Sequence, residues 1–180
     1  METTESRLKL LYQLFKPGLA FSIVVTVVPA LLLDERIPSL SLIFYTLLGT
    51  GLSAMASFAY NQLLEQHTDA KMKRTAKRVL PAGKLDPILV HIVGSSLLGA
   101  GILILHIKSG WLAASLALFS FLFYVFIYTL LLKPHTDLST VLGGICGAIG
   151  PLIGEAALRG TVTIEGILLF LLVKHKKFHL

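Results

Sequence analysis

The side chains best suited to chemistry lie in one polar stretch, residues 61–86, which reads NQLLEQHTDAKMKRTAKRVLPAGKLD. Asn61, Glu65 and Asp69 recur at every fourth position. The stretch continues from an apolar block with no Gly or Pro before Pro81, so its first part is predicted to be helical. At about 100° per residue, each four-residue step drifts only about 40°, and the three side chains share a face over about two turns. Two carboxylates and an amide form a hard-oxygen set suited to Mg2+, which commonly takes one or two carboxylates, waters and substrate phosphate oxygens. Lys71, Lys73, Arg74, Lys77 and Arg78 follow at once. Their charge, and the planar donor fork of Arg, match phosphate. Acid followed by base at a membrane boundary suits a diphosphate carried on an apolar tail. A plainer reading also fits. Glu65 and Asp69 can form ordinary helix-surface pairs, with Asp69 and Lys73 at i, i+4. The basic run can be a topology signal or a contact for anionic lipid. Spacing alone leaves both open.

The elements that must position this stretch are membrane helices. Hydrophobic residues make up 54% of the 180 and charged residues 14%, below the roughly 25% charged of soluble domains. The apolar residues fall in blocks that approach the roughly 20 needed for a spanning helix. The blocks are Leu19–Leu33 (or from Leu11, with Pro17 as a kink), Ser39–Tyr60, Pro87–Ile107, Trp111–Leu132 and Thr140–Ala157. In the last, Gly143, Gly144, Gly147, Gly150 and Pro151 suit close helix contact or a broken helix beside a cavity. The predicted fold is an all-α, polytopic transmembrane helical bundle of five spans and a partial sixth, one membrane domain over 1–180.

The net charge of +6 does not signal nucleic acid, because the basic residues sit in short connections between apolar blocks. If five spans alternate sides, one side holds Arg7, Lys9, Lys16, the six basic residues of 61–86 and Lys133, and the other holds Arg36, Lys108 and Arg159. This bias of ten to three places the N-terminus and residues 61–86 in the cytoplasm. The first residues, METTESRLKLLYQLFK, resemble neither a signal peptide nor an organelle transit peptide, which favours the inner (plasma) membrane of a bacterium. The lone Cys146 supports no disulfide framework and no Cys-based metal site.

The run from Asn61 through Glu65, Asp69, Met72, Arg74, Thr75, Arg78, Leu80 and Pro81 to Gly83 resembles the first Asp-rich motif of the UbiA superfamily of intramembrane prenyltransferases. Its Met72–Thr75 segment is similar to the form found in haem O synthases. Three other segments resemble the same family: Leu14-Phe-Lys16-Pro17, Tyr128-Thr129-Leu-Leu-Leu-Lys133-Pro-His-Thr136, and Gly143-Gly144-Ile-Cys-Gly147-Ala148-Ile-Gly-Pro151-Leu152-Ile153-Gly154. Glu65 stands where many members carry Asp, and Val79 where they carry Pro. Pro134 and Gly150 replace a common Arg and Pro.

The resemblance implies transfer of a farnesyl group from farnesyl diphosphate to a vinyl group of haem B. It implies Asn61, Glu65 and Asp69 as ligands of Mg2+ on the diphosphate, and Lys73, Arg74 and Arg78 as groups that neutralise the phosphates. Tyr128 and Lys133 would contact the head group, although an interfacial aromatic and a snorkelling anchor explain them equally well. The bilayer surrounds the protein, and haem A synthase or terminal oxidase assembly factors are the implied protein partners. The six histidines show no metal-ligand spacing. Competing readings are a quinone-pathway aromatic prenyltransferase, a small transporter, and an inactive truncated product. The last arises because Thr163–Val173 is apolar for only eleven residues before Lys174-His-Lys-Lys-Phe-His-Leu180. Eleven helical residues cover about 16 Å, roughly half the hydrocarbon thickness. The sixth block is therefore expected to break at Lys174, leaving the glycine face of the fifth open to lipid, in a chain that looks C-terminally truncated.

Overall fold

The computed structural model describes residues 6–32, 37–132 and 146–178, and all regular structure within them is helical. Helices α1 (Arg7–Phe15) and α2 (Pro17–Leu32) are bent by 44° at Lys16, the expected kink. Lys16 ends α1 in the left-handed region (φ 46°), and Pro17 begins α2, where its missing N–H costs nothing. Helix α3 (Leu40–Lys71) starts at Ser39, whose hydroxyl accepts from Leu42 N–H, and runs for 32 residues. Asp86 caps α4 (Pro87–Ser109) through Ile88 N–H. Helix α5 (Trp111–Leu122) passes into a π-helical continuation, Phe123–Leu132. Helices α6 (Gly150–Arg159) and α7 (Ile164–Phe178) follow.

Among the described residues three helical segments, Leu40–Lys71, Pro87–Ser109 and Trp111–Leu130, are long and apolar enough to cross a membrane, and the bent pair α1–α2 would make a fourth. The expected fifth span lies partly in 133–145, outside the described residues. Its described part is interrupted at Ile149, just before Gly150-Pro151, as a broken helix should be.

Small residues set the packing. A Cβ on Gly49 would lie 2.9 Å from the Gly101 carbonyl oxygen, and one on Gly101 would lie 2.8 Å from that of Gly49, so α3 and α4 touch backbone to backbone. Two hydrogen-bonded pairs pin this contact near its ends: Thr46 Oγ1 with Ser109 Oγ (2.8 Å), and Tyr60 Oη with Ser95 Oγ (2.6 Å).

One expectation is corrected. The glycine face of α6 is not open: α2 covers it, with the Val27 carbonyl oxygen 2.7 Å from where a Gly154 Cβ would stand. The apolar block ends at Lys174, while the helix itself runs on through the basic residues to Phe178.

Candidate functional site

Helix α3 carries the predicted face. Asn61, Glu65 and Asp69 are all buried, while His67 and Thr68 between them point outward. The helix stops after Lys71 without Gly or Pro. Met72 turns to extended backbone, and the Asp69 carbonyl accepts from both Met72 N–H (3.2 Å) and Thr75 Oγ1 (3.0 Å). A series of tight turns then carries the chain back under α3, anchored by Val79 and Leu80. Val79 is 1% exposed, and Leu80 packs with Leu14, Ala59 and Val90. This return delivers Arg78 to the acids. Its guanidinium donates to Asp69 Oδ2 at 2.6 Å and lies 3.6 Å from Glu65 Oε2.

The amide of Asn61 completes the row, Nδ2 donating to Glu65 Oε2 at 3.0 Å. Its Oδ1 faces the buried Thr129 of the π-helical segment, whose hydroxyl stands 3.1 Å away. Thr129 Oγ1 is also 2.8 Å from the Tyr124 carbonyl oxygen. Asp69, Arg78, Glu65, Asn61 and Thr129 thus form one continuous polar chain linking α3, the returning turns and the π-helix.

Two cavities flank it. A polar one of about 270 Å3 is lined by Gln13, Lys16, Gln62, Arg74, Lys77 and Arg78. Four of these are cations and none is an acid. Gln62, itself buried, donates to the carbonyls of Gln13 and Leu14, where the α1–α2 break leaves them without helical partners. The other cavity, of about 480 Å3, opens between α2, α3, α5 and residues 146–153, with mostly apolar walls. Phe58, Tyr124 and Tyr128 line it, and Phe58 lies one turn before Asn61 on α3. Tyr124 and Tyr128 stack at 5.1 Å, and the Phe58 ring meets Tyr124 edge-on at 6.1 Å. Lys16 Nζ stands 6.0 Å from the Phe58 ring centre, on the side of the basic cavity.

Of the residues singled out in the sequence, the fold brings together Asn61, Glu65, Asp69 and Arg78, places Arg74 on the adjoining basic wall, and puts Tyr128 in the apolar cavity. Lys73 is exposed, and the Asp69–Lys73 pair of the plainer reading gives way to Asp69–Arg78. The reason is that α3 ends before Lys73, and i, i+4 spacing has no meaning there. Lys133 lies outside the described residues. Lys16, Gln62 and Thr129 were not singled out. Lys16 and Thr129 do stand inside segments that carry the family resemblance, a signal that could have found them. Gln62 bore no signal, since its partners are backbone carbonyls of a distant helix. Among the described residues no three His, Cys, Asp or Glu side chains converge as a metal site, so any ion here would rest on two carboxylates and an amide.

Helices packed through small residues thus hold a buried acid row between a basic cavity and an apolar one. The chain belongs to the UbiA prenyltransferase family, whose pattern matches residues 22–174. Among curated proteins it is similar to the protoheme IX farnesyltransferases of Leptospira interrogans (38% identical, 89% of this chain, 56% of the relative), Leptospira biflexa (41%, 89% and 57%) and Aquifex aeolicus (37%, 96% and 60%). The chain therefore spans little more than half the length of the relatives it matches. No solved structure matches it.

Proposed function

We propose that this chain takes part in farnesyl transfer from farnesyl diphosphate to haem B, giving haem O, and that it supplies the site for the diphosphate head. The observation that carries the reading is the convergence of Glu65, Asp69 and Asn61 beside Arg78, between a cavity lined by four cations and an apolar cavity. The relatives' shared name supports the donor and the acceptor.

The donor set fits Mg2+. Its two carboxylates lie on one buried face and already hold a cationic group, the Arg78 guanidinium, with the Asn61 oxygen turned toward Thr129. When bound, the ion would supply Lewis-acid stabilisation to the diphosphate oxygens. Glu65 and Asp69, with the Asn61 oxygen, would hold it. Arg78 would then leave the carboxylates, whose charge the ion has taken, and turn its fork to the phosphates. Lys16, Arg74 and Lys77 would receive the remaining negative charge from the basic wall. As the bond between farnesyl C1 and oxygen breaks, the electron pair stays on the diphosphate. These fixed cations stabilise that growing charge more than they stabilise the ground state, which is what accelerates the step. The farnesyl tail would occupy the 480 Å3 cavity, a volume within the roughly 300–1,000 Å3 of small-molecule sites. There the faces of Phe58, Tyr124 and Tyr128 would lie against the allylic cation until a vinyl carbon of haem B attacks it, and water would then add to the carbocation left on the other vinyl carbon and give up a proton to the solvent. Lys133, which lies outside the described residues, is proposed as a further contact of the head group on the strength of the family resemblance alone, and Lys73 would contribute only to the general positive field.

The membrane is proposed to be a bacterial inner membrane, with the N-terminus and residues 61–86 on its cytoplasmic side. The ten-to-three basic bias supports this, as does the position of Lys108 against Tyr45, 5.2 Å from its ring centre, on the stretch of α3 remote from the acid row.

The test uses the chain in nanodiscs with a photoreactive farnesyl diphosphate. Labelling of the Tyr124–Tyr128 segment that requires Mg2+ is the expected result. Labelling indifferent to Mg2+, or absent, contradicts the reading. Release of pyrophosphate on adding an aromatic acid, but not haem B, would favour the quinone-pathway enzymes instead.

A further inference from the structure

The hydroxyl of Thr129 faces two acceptors with one proton. The Tyr124 carbonyl oxygen lies 2.8 Å away and Asn61 Oδ1 3.1 Å away. Thr129 itself is buried, 4% exposed, in the π-helical segment. π-helical turns carry an extra residue per turn and occur often at functional sites. Here that turn sets Thr129 against Asn61, 68 residues earlier in the chain.

We propose that Thr129 is a positioning residue that supports the Asn61 amide once it has turned its oxygen toward Glu65, and so prepares the acid row to take a divalent cation. The proposal rests on the metal–diphosphate reading given above. In the arrangement present, Asn61 Nδ2 donates to Glu65 Oε2 at 3.0 Å and Arg78 holds Asp69 at 2.6 Å. Each carboxylate thus faces a donor, the orientation suited to a row without an ion. An amide NH2 cannot be a metal ligand, whereas the amide oxygen can. For Asn61 to serve as a ligand, the amide must turn over, bringing Oδ1 to the Glu65 side and Nδ2 to the Thr129 side.

Thr129 suits both states. With its proton shared toward Asn61 Oδ1, it holds the amide as it stands. With its proton given wholly to the Tyr124 carbonyl, the nearer acceptor, its oxygen can accept from Nδ2 in the turned amide. A hydroxyl is both donor and acceptor, and no apolar side chain of the same shape offers either function. Removing the hydroxyl leaves the turned amide with a buried, unpaired Nδ2, a greater cost than the unpaired Oδ1 of the amide as it stands, and the ion feels the difference through its ligand.

The test compares Thr129→Val, which keeps the shape, with Thr129→Ser, which keeps the hydroxyl. Binding of Mn2+ in place of Mg2+, with inorganic pyrophosphate, is followed by electron paramagnetic resonance on the detergent-solubilised chain. Thr129→Val should weaken Mn2+ binding by about 10- to 100-fold, the usual loss when a partner of a metal ligand is removed. Thr129→Ser should bind within about twofold of the parent, since it keeps the hydroxyl that matters. If the Val variant does not fold, Thr129→Ala takes its place with the same expected loss. Parent-like binding in the Val variant, or a weaker Ser than Val, overturns the proposal. If in that case Glu65→Gln still abolishes binding, the metal–diphosphate reading stands without it. A parent chain that binds no Mn2+ with pyrophosphate overturns both.

Discussion

Among the described residues two places bury a carboxylate, Glu65 with Asp69 and Glu155, and they differ in what meets it. Around Glu65 and Asp69 the recorded partners include the guanidinium of Arg78 and the amide of Asn61, both at the ends of rotatable side chains. Around Glu155, at the α6–α7 corner, the partners are the backbone N–H of Thr163 (3.0 Å) and the Thr163 hydroxyl, with Arg159 one turn on at 4.0 Å. Gly166 lies so close that a Cβ there would collide with the Glu155 carboxylate. Glu155 therefore closes the start of α7, where the first N–H groups of a helix lack partners, although it also borders a cavity of about 300 Å3. Burial of an acid marks both places equally. What separates a site from a staple is whether the partners can move away and still be satisfied.

The comparison breaks most visibly on binding. Asp69→Asn should reduce Mg2+-dependent retention of farnesyl diphosphate by about 100-fold or more, beyond the loss caused by removing a mere partner of a ligand. Glu155→Gln should leave retention unchanged and instead lower thermal stability by about 1–3 kcal/mol, the cost of weakening a buried charge-assisted bond. Equilibrium dialysis and a melting curve on the two variants separate the roles. If Glu155→Gln loses retention, the contrast between site and staple fails.

Arg78→Met gives an intermediate effect of mixed sign. Without the guanidinium, Glu65 and Asp69 lose a competitor for cations, so Mn2+ alone should bind more tightly. Farnesyl diphosphate with Mg2+ should bind about tenfold more weakly, since a charge-assisted phosphate contact is worth about 1.5–3 kcal/mol in part offset by the freed carboxylates. Titrations with and without the diphosphate should show the two shifts in opposite directions. The smallest effect belongs to Lys73→Ala. Its side chain is exposed and apart from the acid row, so retention should change by less than about twofold, in line with surface substitutions.

The continuity of α3 past Asp69 was legible because no Pro interrupts the chain between Ser39 and Lys71, and the shared face of Asn61, Glu65 and Asp69 follows from that periodicity, whereas its end at Lys71 was not. The kink at Lys16-Pro17 and the break at Gly150-Pro151 were legible because Pro and Gly act locally. Choosing Arg78 over Lys73 was not legible. It depends on Thr75 ending α3 and on Val79 and Leu80 finding a pocket against α1 and α4, which are tertiary events. The π-helical turn that brings Thr129 to Asn61 left no mark in composition or spacing, because Phe123–Leu132 is uniformly apolar apart from its two Tyr and one Thr. The covered glycine face of α6 was missed for a related reason: its partner is α2, far away in the chain, and not the helix that follows it.

The central claim is that the acid row beside Arg78 receives a divalent cation together with a diphosphate. The most direct measurement is electron–nuclear double resonance on the chain loaded with Mn2+ and farnesyl diphosphate. The account predicts phosphorus-31 coupling to the bound Mn2+ in the parent chain, and its loss in Asp69→Asn. A phosphorus-coupled Mn2+ signal that persists unchanged in Asp69→Asn would place the ion elsewhere and contradict the account.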